Sequence, residues 1–89
     1  MKPYNDKIQE NYIIREFSSD VEQDELEWHR DRNKRRVDVL EGRGWKVQLD
    51  NQLPFTIVPG DHFYIEANEF HRLIKANTNL RLRITEYYK

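Results

Sequence analysis

Residues 45–74 read WKVQLDNQLPFTIVPGDHFYIEANEFHRLI, and their pattern decides the fold. Trp45, Val47 and Leu49 alternate with Lys46, Gln48 and Asp50, the two-residue period of a half-buried strand. Asp50-Asn51 follows, a pair that tolerates turn conformations. Leu53–Val58 is a further strand, with Pro54 near its start, where a missing N–H does little harm. Pro59-Gly60-Asp61 is a strong turn, and His62–Glu66 and Phe70–Ile74 are short strands on either side of Ala67-Asn68-Glu69.

The same rhythm extends in both directions. Downstream, Asn79–Glu86 alternates Leu80, Leu82 and Ile84 against Arg81, Arg83 and Thr85. Upstream, Arg36–Leu40 is a Val-rich strand closed by Glu41-Gly42-Arg43-Gly44, and Glu10–Phe17 has the β-branched and aromatic residues of a first strand. Seven or eight short strands separated by turn residues predict an all-β sandwich or barrel. The polar segment 1–9 is expected to be a flexible arm, and 10–89 a single domain. Ser18–Arg36 admits two readings. Ser19 could cap a helix there, but Val21, Leu26 and Trp28 are too few for an apolar helix face. Glu25–Asp31 alternates as a strand would, with Leu26, Trp28 and Arg30 against Glu27, His29 and Asp31.

Composition bounds the function. Eighty-nine residues suffice for one small core, whose stability a bound metal, a dimer interface or a closed sheet would raise. Charged residues make up 35%, but 12% aromatics supply material for a core, so general disorder is not indicated. A formal net charge of −1 argues against a nucleic-acid partner. The basic run Arg30, Arg32, Lys34, Arg35, Arg36 is interrupted by Asp31 and follows an acidic stretch, which favours charge pairing within the chain. With no cysteine, disulfides and thiolate metal sites are excluded. No apolar stretch is long enough to span a membrane and no signal-peptide core is visible, so a soluble cytoplasmic protein is expected. There is no glycine-rich phosphate loop and no nucleophile elbow.

The chemistry concentrates on three residues. His29 and Asp31 stand one residue apart, so on extended chain they share a face. If a later strand brings His71 opposite, two imidazoles and one carboxylate meet, the ligand set of a mononuclear centre with open positions. His62, beside Asp61 at a turn, is expected to face solvent. Trp45 is expected in the core, Trp28 in the core or a dimer interface, and Gln48 either on the cavity wall or on the surface.

The order of strands and turns around these residues resembles the cupins. In the first cupin motif His29 takes the first His place, Asp31 the second, Arg35 the Glu place and Gly42 the closing Gly, while Gln23 replaces the opening Gly. In the second motif Gly60 and His71 match, while Glu66, Asn68 and Lys75 replace Pro, Gly and Asn. Asn68 for Gly is a mild change, since Asn also tolerates a left-handed turn. The resemblance covers Glu25 to Ile84. It implies a small double-stranded β-helix, or jelly-roll, barrel in which His29, Asp31 and His71 hold a divalent metal: iron(II), with manganese, nickel and zinc also suited to such ligands. It also implies a dioxygenase-type or other metal-dependent enzyme on a small anionic substrate, with Arg35 orienting the substrate carboxylate. The alternative is a metal-free binding or assembly barrel in which Arg35 pairs with Asp31 and Glu27. Fe(II)/2-oxoglutarate oxygenases place a cosubstrate-binding Arg downstream of the last His, a role open to Arg81 or Arg83. A homodimer is expected, with Trp28 or Tyr12-Ile13-Ile14 in the contact.

Overall fold

The computed structural model describes residues 2–88. Eight strands follow in chain order: β1 (Asn5–Ile8), β2 (Ile13–Phe17), β3 (Lys34–Glu41), β4 (Lys46–Leu49), β5 (Phe55–Thr56), β6 (His62–Ile65), β7 (His71–Ile74) and β8 (Leu80–Tyr87). Among the described residues the only helical element is a 3-10 turn, Gln23–Glu25. Every strand pairing is antiparallel, in a five-stranded sheet ordered β1-β2-β8-β3-β6 and a three-stranded sheet ordered β5-β4-β7. This is the all-β jelly-roll architecture expected from the alternating pattern. No helix among the described residues is long and apolar enough to cross a membrane.

Alternation explains the core. Phe17, Leu80, Leu82, Ile84, Val37, Val39 and Ile65 line the inner face of the large sheet and are buried. From the other side Trp45, Val47 and Ile57 meet them. Trp45 is fully buried, as expected, and its indole N–H donates to the Thr78 carbonyl at 2.9 Å, so the ring brings no unsatisfied donor into the core.

Two local expectations are corrected. Asn5–Ile8, read as part of an arm, is a strand in register with β2, Asn5 opposite Glu16 and Ile8 opposite Ile13. Its signal is charge rather than apolar alternation: Asp6 lies opposite Arg15 and accepts two of its hydrogen bonds, at 2.8 and 3.0 Å. Met1, the first residue of the expected arm, lies outside the described residues. Glu25–Asp31, read as a strand, forms none; only a single bridge at His29 survives. Here the chain is a crossing connection. The side-chain amide of Gln23 donates to the Leu73 carbonyl at 2.9 Å and accepts the Lys75 N–H at 2.8 Å, capping the open edge of β7 as a neighbouring strand would.

The register of β3 on β8 shifts between Val39 and Glu41, and Gly42 follows with φ of +125°. A Cβ at Gly42 would stand 2.9 Å from Leu80 Cδ1 and 3.0 Å from the Asn79 carbonyl oxygen. At Gly60, with φ of +96°, a Cβ would meet nothing within 4 Å. Both positions disfavour an L side chain, but only the first also obstructs packing. Gly42→Ala is therefore expected to cost about 2–4 kcal/mol and Gly60→Ala about 1 kcal/mol in urea unfolding; equal losses would contradict the packing account.

Candidate metal centre

His29, Asp31 and His71 come together, with one donor atom from each lying within 4.8 Å of the others. The assembly starts in the backbone. His29 N–H donates to the His71 carbonyl at 3.0 Å and His71 N–H donates back to His29 at 2.9 Å, a reciprocal antiparallel pair. Directly opposed residues project to the same side of a sheet, and the two rings meet edge-on with centroids 4.2 Å apart. Asp31, two residues on, points the same way. Its carbonyl accepts the Asn68 N–H at 2.7 Å, tying it to the turn before β7. Asn68 sits at φ of +62°, the left-handed position that a glycine would otherwise fill.

Each imidazole is oriented by a carbonyl two residues earlier: His29 Nδ1 donates to Glu27 at 3.0 Å, and His71 Nδ1 to Glu69 at 2.8 Å. A carbonyl can only accept, so Nδ1 carries the proton in both rings. In the neutral rings both Nε2 lone pairs then face Asp31 Oδ2, at 3.9 Å from His29 and 3.2 Å from His71. Oδ2 is buried and lacks a hydrogen-bond donor. Three electron-rich atoms facing one another with no proton between them suit a cation. Around a common ion at ~2.1 Å, neighbouring donors stand roughly 3–3.5 Å apart; His71 to Asp31, at 3.2 Å, meets that spacing, and His29, at 3.9 Å, would have to close in. Carbonyl-anchored Nδ1–H is also the usual outer support of metal-binding histidines. The donor set thus fits a divalent metal, with His71 buried and His29 half-exposed at the rim.

Arg35 lies on the inner face of β3, beside Asp31, with Nη1 at 3.3 Å from Oδ2. Its other anchor is Glu86, whose Oε1 accepts from Nη2 at 2.8 Å, not Glu27 as the sequence had suggested. Glu86 is the site residue that sequence reading missed. Its signal was present: it shares the inward parity of Leu80, Leu82 and Ile84, and it falls opposite Arg35 in the ladder. Arg35 is engaged by two carboxylates, so a substrate carboxylate would have to compete with them for the guanidinium. A bare guanidinium ~4 Å from a metal ion would be repelled by several kcal/mol at an effective dielectric near 20. With Asp31 and Glu86 both ionised, the cluster carries a net negative charge and the repulsion is offset.

Burial pushes the Asp31 carboxyl up; against it act His71, as hydrogen-bond donor and charge when its ring is protonated, then the Arg35 guanidinium and a protonated His29, and the balance holds the carboxyl below its ordinary value. Glu86 behaves alike: burial raises it, and the Asn33 amide, Arg35 and the Tyr88 hydroxyl bring it below the usual range.

Beside the cluster opens a cavity of about 290 Å³. Arg15, a second inward cation that sequence reading passed over, lines its wall through the same parity rule, between Ile13 and Phe17 on β2. The remaining candidates lie elsewhere. Arg81 and Arg83 are exposed, Arg81 beside Glu41 and Arg83 over the Tyr12 ring, so neither serves as an inward cosubstrate anchor. His62 is exposed, as expected. Gln48 accepts a hydrogen bond from Arg72 outside the cavity. Trp28 is 42% exposed with the Arg72 guanidinium 5.0 Å from its ring, outside the core.

No protein-family model and no curated protein matches the chain. Solved structures do. An RmlC-like cupin from Shewanella frigidimarina superposes with a TM-score of 0.76 at 18% identity, over 97% of this chain and 77% of that one. The DMSP lyase DddQ from Ruegeria pomeroyi gives 0.76 at 12% identity over 88% and 38%, and iron(II)-HppE with the substrate (S)-1-HPP gives 0.70 at 14% over 94% and 48%. The fold is that of the cupins. The chain spans less than half of the length of the lyase and of HppE.

Because the folded Glu86 carboxyl is depressed, its stabilisation is complete above the ordinary glutamate range and is lost as pH falls through the folded value. Glu86→Gln should lower stability by roughly 1–3 kcal/mol at neutral pH. Its deficit against the parent chain should shrink below about pH 4. Urea titrations across pH 3–7 test this; a pH-independent deficit would exclude the ionised pair.

Proposed function

We propose that this chain holds one divalent metal ion through His29, Asp31 and His71 and uses it, as a small metal-dependent enzyme, on a small molecule bound in the adjoining cavity. The observation that carries the reading is the pair of Nε2 lone pairs converging on an Asp31 oxygen that accepts no hydrogen bond, both rings being fixed by backbone acceptors. Two imidazoles and a carboxylate leave further coordination positions open, the pattern suited to iron(II), with manganese, nickel or zinc as alternatives. That HppE with iron(II) shares the fold supports iron as the ion; the dioxygenase-type chemistry rests on the open positions of the donor set. When bound, such an ion supplies Lewis acidity and adjacent sites for substrate and oxygen. The chain's own residues divide the remaining work. Glu27 and Glu69 carbonyls hold the ligand rings, Arg35 and Glu86 balance the charge of Asp31, and the apolar wall excludes water.

A metal-free barrel is the second reading, favoured by the 3.3 Å approach of Arg35 to Asp31. Metal analysis separates the two. Purified protein incubated anaerobically with iron(II), or with zinc(II), should bind one equivalent. Metal at about 100 times Kd should add about 2.7 kcal/mol of stability, read as a rise in Tm. His71→Ala and Asp31→Ala should each weaken binding more than about 100-fold, since even an outer partner is worth about 10- to 100-fold. A folded protein that takes up neither ion, with an unchanged Tm, would leave the second reading in place.

A further inference from the structure

We infer that the ligand of this cavity is a small, mainly apolar molecule bearing at most one anionic group, and not a polyanion; the inference deepens the metal-dependent reading by naming its substrate class. The wall is built largely from Val37, Val47, Phe63, Ile65, Leu82 and Ile84. The cavity, about 290 Å³, sits at the small end of ligand pockets.

Charge decides the rest. Three arginines contribute to the wall, and each guanidinium is already engaged, Arg15 and Arg35 by carboxylates and Arg72 by Gln48 outside the cavity. Arg15 is held by both Asp6 oxygens at 2.8 and 3.0 Å, with its side chain only 12% exposed and the Tyr4 ring 3.7 Å away. Arg35 faces Asp31 and Glu86. Arg72 donates to Gln48 at 2.9 Å and lies over Trp28. Glu25, Glu27 and Asp31 add negative charge to the same wall. A ligand carboxylate placed away from the metal cluster would have to displace Asp6 or Glu86 from a bidentate or buried pair, or remain unpaired in an apolar pocket. One anionic group can be met at the metal; a second has no free cation to meet. The small anionic substrate expected from the sequence is thereby narrowed to a singly charged or neutral amphiphile.

Three six-carbon probes test this: 1-hexanol, hexanoate and adipate, which differ only in their ends. Methyl resonances of Val37, Ile65, Leu82 and Ile84 are followed by NMR in the full chain, metal-free and with saturating zinc(II). Hexanol should shift these methyls in both forms, and in the zinc form hexanoate should bind at least tenfold tighter than adipate. Asp6→Asn, which frees Arg15 on an exposed edge strand, should raise adipate affinity at least threefold. Adipate binding as tightly as hexanoate to the zinc form, or hexanol leaving the methyls unmoved, would overturn the inference. Hexanol binding in a chain that takes up no zinc would sustain the apolar cavity while removing the metal reading, so the two failures are distinguishable.

Discussion

The reciprocal hydrogen-bond pair between His29 and His71 is the constraint on which the site rests. The two residues lie far apart in sequence, and no strand contains His29. Yet one antiparallel bridge places their side chains on the same side, and Asp31 inherits that side by parity. The connection from β2 to β3 holds this position because it is fastened at several points along β7 and the turn before it. Gln23 grips Leu73 and Lys75, His29 pairs with His71, and Asp31 accepts from Asn68. The same contacts that seat these three side chains also cover an edge of the small sheet that would otherwise present unpaired backbone groups. Edge protection and site assembly are thus one device.

A second constraint is electrostatic. An arginine next to a carboxylate ligand looks like a substitute for a metal, and taken alone it would be one. Glu86 changes the balance. By accepting from Arg35 at 2.8 Å it neutralises the guanidinium from the far side and leaves Asp31 able to serve another cation. Arg35 then acts as a structural bridge between β3 and β8 as well as a neighbour of the cluster. The pairing of an inward Arg with an inward Glu across a ladder is tolerated because each retains a charged partner in a half-dry environment.

Parity made most of this legible from the sequence. Strand patterning located seven of the eight strands, placed Trp45 in the core and put His29 and Asp31 on one side. It was equally available for Glu86 and Arg15, which share the inward rows of Ile84 and Phe17, but polar residues in an inward row read as irregularities until a partner is seen opposite. Register supplies that partner, and register between distant strands is not written in local pattern. For the same reason β1 read as loose chain: its stability comes from the Asp6–Arg15 pair and ladder bonds, not from apolar alternation. Around His29 the alternation was real but the strand was not, because the 3-10 turn at Gln23–Glu25 and the crossing geometry interrupt pairing on either side.

The fold by itself leaves the reaction open, since one architecture hosts many chemistries. The lyase and HppE that superpose on this chain are about twice its length or more, so the shared part is the barrel. What the barrel offers is asymmetric. The cavity wall carries three convergent donors and is otherwise largely aliphatic and aromatic, with Arg15 held by Asp6 and Arg35 by Glu86. Such a pocket recognises a ligand chiefly by excluding water and charge from all but one end. Selectivity then comes from the desolvation penalty on polar competitors rather than from a set of matching hydrogen bonds, which limits it to telling apolar from polar and small from large.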